Sequence, residues 1–192
     1  FEDYNFFITE YQNLKIECTK KNLGYGGGNN YGFRISETNF VLVVNPDIVF
    51  DKSFFENIKK YLDEKLDFSI IGTSYKNDKI FNSCGFFKES EKKNFDQIIN
   101  SKTNNQYSFL KKVDWVTGCT MLINLKKFKD KKLFDENFFL YCEEFDLCKQ
   151  IEINNGNVYS SEDLYVDHLG YKGSFGADPE LKYEAEKLRE WH

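Results

Sequence analysis

The run Phe40-Val41-Leu42-Val43-Val44 is unbroken, apolar and rich in β-branched residues, and Asn45-Pro46-Asp47 stops it. Such a run, closed by a turn signal, predicts a buried central strand. The same pattern gives strands over residues 14–18 and 68–72, an edge strand over 79–85, strand character over 115–123, and late strands over 158–160 and 164–168. Helical stretches lie between them. One is expected after the glycine-rich turn 24–30, reaching Ser36. A second is capped by Asp51 or Ser53 and reaches Leu62. A third covers 143–154, ended by Asn155-Gly156, and a last is opened by Asp178-Pro179. Residues 89–105 are polar and read as a surface loop. Strands alternating with helices predict an α/β domain with a mostly parallel central sheet. No repeat or linker interrupts the 192 residues, so a single domain over 1–192 is expected.

Composition narrows the function classes. A net charge of −5 leaves no broad basic surface for phosphate backbones, so nucleic acid is not the expected partner. The five cysteines are odd in number and none shows CxxC spacing, which points away from a disulfide framework and towards a reducing, cytoplasmic compartment. No apolar run approaches the ~20 residues a membrane-spanning helix needs.

Four segments carry candidate chemistry. In residues 134–147, Glu143, Glu144 and Asp146 follow a block of aromatic and apolar side chains. Carboxylates against apolar surface are costly unless they hold a metal, a proton or a partner, although a helix N-terminus also favours them. Residues 22–30, Asn-Leu-Gly-Tyr-Gly-Gly-Gly-Asn-Asn, read as an anion-friendly nest or as a plain tight turn. They match neither a Rossmann fingerprint nor a Walker loop. Asp47, just past a strand's carboxyl end, is placed to hold a metal–diphosphate or to serve as a turn residue. His168, one of two histidines, ends a strand as a metal or phosphate ligand or as a structural residue.

In this order the segments resemble family-two inverting glycosyltransferases of the GT-A fold, closest to the rhamnosyltransferase-like branch. The resemblance runs over residues 14–175. It rests on 22–30, on Asn45-Pro46-Asp47 in place of an Asp-x-Asp metal motif, on Trp115-Val116-Thr117-Gly118, on 134–147, and on His168 with Ser174. It implies a GT-A-like nucleotide-diphospho-sugar transferase fold and a hexosyltransferase activity building a polysaccharide or lipid-linked glycan of the cell envelope. It implies Glu144 as the base, with Glu143 and Asp146 shaping the site. Asn22, Gly24, Gly28, Asn29, Asn45 and Asp47 would line the donor side, and Trp115 and Gly118 the acceptor side. Asp47 and His168 would hold Mg²⁺ or Mn²⁺. The implied partners are a nucleotide-diphosphate sugar and a glycan or lipid-linked saccharide, with peripheral association at the inner face of the membrane.

Two departures accompany the resemblance. Glu143-Glu144 stands where the family has Glu-Asp, and the family's opening strand with its Asp-Asn-x-Ser segment is not found, so the domain reads as N-terminally incomplete. These motivate an alternative reading, a non-catalytic carbohydrate- or nucleotide-binding remnant. A nucleotidyltransferase is disfavoured because residues 24–30 carry no Lys or Arg for a triphosphate.

Overall fold

A computed structural model describes residues 14–62, 65–77, 79–82, 84–85 and 109–169. The loop expected over 89–105, Ser174 and the helix expected from Asp178 lie outside the described residues. The elements are α1 (Gly24–Ile35), β1 (Phe40–Val44), β2 (Ile48–Val49), α2 (Lys52–Ile58) with a 3-10 turn over Lys59–Tyr61, β3 (Ile70–Asn77), β4 (Lys79–Asn82), β5 (Cys84–Gly85), β6 (Leu110–Lys112), β7 (Trp115–Val116), β8 (Thr120–Asn124), α3 (Glu143–Ile153) and β9 (Val158–His168).

The α/β class and GT-A-like arrangement of helices on a central sheet hold. The sheet order is β1-β8-β3-β9-β2, with β4 beside β3 and β6 beside β9. The expectation of mostly parallel pairing needs correction. Among the described residues β3 and β9 are the one parallel pair, and the other ladders are antiparallel. The reason is β8. It runs against both β1 and β3, so those two strands point the same way without touching. β8 is an inner strand with all five residues buried, whereas β1 ends the described order and is half-buried over residues 40–42, buried at Val43 and exposed at Val44.

Alternation along the strands divides the core between the two faces. Val43, Ile70, Met121 and Ile123 face α1 and α3, where they join Phe33, Phe134, Leu147 and Ile151. Ile71, Leu122, Leu164 and Val166 face the other way and join Phe54, Tyr61 and Phe68 around α2. The Asp51 carboxylate caps α2 by accepting from the Phe54 N–H at 3.1 Å, as expected. The two late strands are one, β9, with an irregularity where Thr73 pairs Ser161 and Ser74 pairs Tyr165. The strand expected over 14–18 is irregular chain.

Residues 24–30 are not an open turn. They are the first half of α1. Glycine weakens an isolated helix by roughly 1 kcal/mol per residue relative to alanine, so tertiary contact overrides local preference here. Gly24 sits at φ +72°, and a side chain there would collide with the Phe139 carbonyl. A Cβ on Gly26 would lie 2.9 Å from the Phe134 Cβ, whereas a Cβ on Gly28 would meet nothing within 4 Å. The glycines thus let α1 lie against residues 134–139. Gly26→Ala is expected to destabilise by about 1–3 kcal/mol through overpacking, and Gly28→Ala to stabilise by roughly 0.5–1 kcal/mol through helix propensity. Urea denaturation of both variants checks the contrast. Equal effects would contradict this account of the run.

Candidate active site

The acidic block enters α3 through a bend. Tyr141 and Cys142 both occupy left-handed backbone, at φ 70° and 68°, a conformation that costs non-glycine residues on the order of 1–3 kcal/mol each. The Cys142 carbonyl then accepts the first helical bond, from the Asp146 N–H at 3.0 Å. This turn directs Glu143 inward, 3% exposed, and leaves Glu144 half-buried.

The two carboxyls differ in environment. Burial first, and then the Glu144 charge, push Glu143 up to about 7, although its own backbone N–H opposes the shift. Its Oε2 has no hydrogen-bond partner among the described residues. Glu144 is also raised, by burial, but hydrogen bonds from its own N–H and from the Gly118 N–H hold it down. Asp146 points away from Glu144. Two positions along a helix turn a side chain by about 200°, and Asp146 lines a shallow groove with Lys132, Leu133, Phe134, Asp135 and Gln150.

Gly118 lies in the turn between β7 and β8. Its carbonyl accepts from the Tyr25 hydroxyl, and a Cβ on it would lie 2.8 Å from that hydroxyl oxygen. Tyr25 comes from α1, where its N–H donates to the Phe139 carbonyl at 3.0 Å. Burial raises the Tyr25 hydroxyl, followed by the charges of Glu144 and Glu143 and by Cys119, so these groups are electrostatic neighbours. Trp115 is half-buried, packed on Phe145 with centroids 4.6 Å apart and against the backbone of Gly85.

The next residue links this wall to a second cluster. The Cys119 carbonyl accepts from the Asn45 N–H at 2.9 Å, and the Asp47 charge reaches its thiol, which burial raises. Asp47 and His168 meet there, Oδ2 to Nε2 at 3.3 Å. Pairing of Ile48 with His168, and the Leu169 N–H bonding the Asp47 carbonyl at 3.0 Å, hold them together. The pair fits two neighbouring positions around a hard divalent ion. The carboxylate oxygen suits Mg²⁺ or Mn²⁺, whereas the imidazole nitrogen suits the transition ion better than Mg²⁺, and such ions take their remaining ligands from phosphates and water. Among the described residues no group of three His, Cys, Asp or Glu side chains forms a complete protein cage.

The residues expected on the donor side are spread more widely. Asn22 accepts from the Gly24 N–H at 2.9 Å just ahead of α1. Asn29 donates to the Tyr25 carbonyl at 3.0 Å within the helix. Gly24 packs on Phe139, Gly28 is exposed, and Asn45 reaches the second cluster through its backbone. With Gly24 and Tyr25 N–H groups engaged by protein, the run does not form the open nest its sequence suggested. Two residues that complete the site, Tyr25 and Cys119, carried no local signal beyond an aromatic inside a glycine run and a cysteine before a strand. Cys18, Cys119, Cys142 and Cys148 are free thiols. Among the described residues no helix is long and apolar enough to cross a membrane.

Residues 4–130 match the family profile described as Glycosyl transferase family 2. That match ends before the acidic block, so it carries no information on Glu143 or Glu144. The chain is 30% identical over 156 residues to "Low-salt glycan biosynthesis hexosyltransferase Agl10" of Haloferax volcanii, covering 71% of this chain and 46% of that protein. It is 25% identical over 174 residues to "Rhamnosyltransferase WbbL" of Escherichia coli K12, covering 77% of this chain and 61% of that protein. The chain therefore spans about half to three-fifths of the length of these curated relatives.

Proposed function

We propose that this chain, which belongs to glycosyl transferase family 2, moves a hexose, a rhamnose-type sugar among the candidates, from a nucleoside-diphosphate donor to a glycan or lipid-linked acceptor with inversion at the anomeric carbon. The observation that carries the reading is the turn 117–119. Its Gly118 backbone favours the charged form of Glu144, and its Cys119 carbonyl accepts from the N–H of Asn45, two residues before Asp47, which pairs with His168. A carboxylate and a two-ligand ion position thus share one edge of the sheet, as a single displacement on a diphosphate-activated sugar requires.

Glu144 takes the proton of the acceptor hydroxyl as its oxygen bonds the anomeric carbon, and the bond from that carbon to the diphosphate breaks. Glu144 suits the role better than Glu143. It is partly exposed and its charged form is favoured by the Gly118 backbone, whereas Glu143 is enclosed and raised by burial to about 7. Asp47 and His168 would hold the divalent ion, which when bound offsets the charge developing on the leaving diphosphate. Trp115 and Gly118 border the acceptor space. A lipid-linked acceptor would bring the protein to the inner face of the membrane.

Thermal-shift titration with nucleoside diphosphates and nucleotide sugars, with and without Mn²⁺, tests the donor site. The expected result is Mn²⁺-dependent stabilisation by one nucleotide class, about 2.7 kcal/mol at a hundredfold excess over Kd, and its loss in Asp47→Asn. Stabilisation that ignores both Mn²⁺ and Asp47→Asn would overturn the assignment of the ion to this pair. No shift with any ligand would favour the non-catalytic alternative.

A further inference from the structure

We infer that Glu143 is a proton-operated latch on the bend that leads into α3 and places Glu144. Uncharged, its side chain lies inside and the chain turns through two left-handed residues. Ionised, it leaves for solvent and the bend opens. Three features of the geometry carry this. Glu143 is 3% exposed, and its Oε2 is enclosed with no hydrogen-bond partner among the described residues. A neutral carboxyl tolerates such a place, whereas a carboxylate there has lost water and gained no donor for that oxygen. Directly before it, Tyr141 and Cys142 stand at φ 70° and 68°. Strained backbone of this kind persists only where its surroundings hold it. Glu143 is also the first residue of α3, behind a Cys142 that makes no side-chain cap. At that end the helix dipole favours a carboxylate standing in water. The side chain therefore has an inward seat suited to its neutral form and an outward one suited to its charged form. The strained pair is the backbone that moves with it.

The neighbouring groups agree with this. Glu144 faces Glu143 from the same helix, Cys142 from the bend, and the Tyr25 hydroxyl from α1. β7 packs against α3 with Trp115 and Val116 and brings no charge. β9 packs there too, and none of its titratable groups acts on Glu143. Among the described residues no cation offsets the carboxylate. Burial, and then the Glu144 charge, raise Glu143 from its ordinary 4.5 to about 7. The closed bend thus binds this proton more tightly than any state with the side chain in water. Opening releases the proton, so it is least favoured below about 4.5, grows easier as pH rises, and levels off above about 7. The Asp146 N–H, bonded to the Cys142 carbonyl at 3.0 Å, reports whether the bend is closed.

The inference rests on the transferase reading only through the role given to Glu144, so its test needs no turnover. Amide hydrogen exchange is followed by NMR across the pH range and corrected for the intrinsic pH dependence of exchange. The β8 amides, in a fully buried inner strand, serve as the yardstick for global opening. In the unmodified chain the protection of the Asp146 N–H should fall by more than about tenfold between roughly pH 5 and pH 8, while β8 changes far less. Glu143→Gln removes the titrating group and should make that protection independent of pH. Glu143→Met fills the same seat with an apolar side chain of similar length and decides the matter if Glu143→Gln does not fold. Glu144→Gln should keep the fall, which separates the two neighbouring carboxyls. Protection that ignores pH in the unmodified chain, or that falls equally without Glu143, overturns the inference. So does a fall that disappears in Glu144→Gln instead. The expected exchange pattern in a chain that turns over no nucleotide sugar would count against the transferase reading and leave the latch standing.

Discussion

Glu144→Gln will lower kcat by roughly 10²–10⁴-fold, the range for losing a general base, while the variant melts with the unmodified protein. Gln keeps the length of the side chain and an oxygen facing the same backbone N–H groups that favour charged Glu144, so the local packing survives. What disappears is the capacity to take a proton. Glu143→Gln is the informative control. The Glu143 carboxyl is enclosed and raised to about 7, so it is only partly ionised at neutral pH and shut away from a substrate, and its substitution will cost far less activity. Steady-state kinetics on the two variants decide the matter. Comparable losses would remove the distinction drawn between the neighbours, and full turnover in Glu144→Gln would place the base elsewhere.

Asn30→Ala will destabilise the fold by about 3–5 kcal/mol, because each buried polar group left unpaired costs on the order of 1–3 kcal/mol. Asn30 is fully buried and works in both directions. Its Oδ1 accepts from the Leu133 and Phe134 N–H groups at 2.9 and 3.0 Å. Its Nδ2 donates to the Phe134 carbonyl at 2.9 Å and to Glu136 at 3.1 Å. One side chain thus pins residues 133–136 to α1 immediately before the segment that turns into the acidic helix. Asn30→Asp keeps the accepting oxygen but sets a buried carboxyl against the Phe134 carbonyl and Glu136, so a loss at least as large is expected. Urea denaturation measures both. A loss below about 1 kcal/mol for Asn30→Ala would mean that the segment finds other partners.

The chain itself fixes much of what was read from it. The apolar run 40–44, stopped by Asn45-Pro46, could be nothing but a strand ending at a turn, because apolar β-branched residues followed by a φ-locked proline leave few alternatives. Asp51 as a cap and residues 143–154 as a helix are local matters too, decided within a few residues by capping and by helical spacing. The acidic block, Asp47 and His168 were recognisable as candidates from residue type and order alone.

Other features depend on groups far apart in sequence. The glycine run suggests a loop because its local preference is for one. It is helix because Gly26 must let Phe134 approach and Asn30 must reach residues 133–136, more than a hundred positions away. Asp146 sits within two residues of Glu144 yet faces a different groove, a consequence of the helix and its packing rather than of spacing. The direction of β8 is the most consequential case. A strand's sequence carries no sign of whether its neighbours run with it or against it. Because β8 is antiparallel to β1, its first residue, Thr120, lies opposite Val44, the last residue of β1. The preceding turn is thereby delivered to the edge where Asn45, Asp47 and His168 gather, with Tyr25 and Glu144 on its other side. Residue type and order establish which side chains are available for chemistry. Which of them meet depends on strand direction and on contacts between segments that no local pattern encodes.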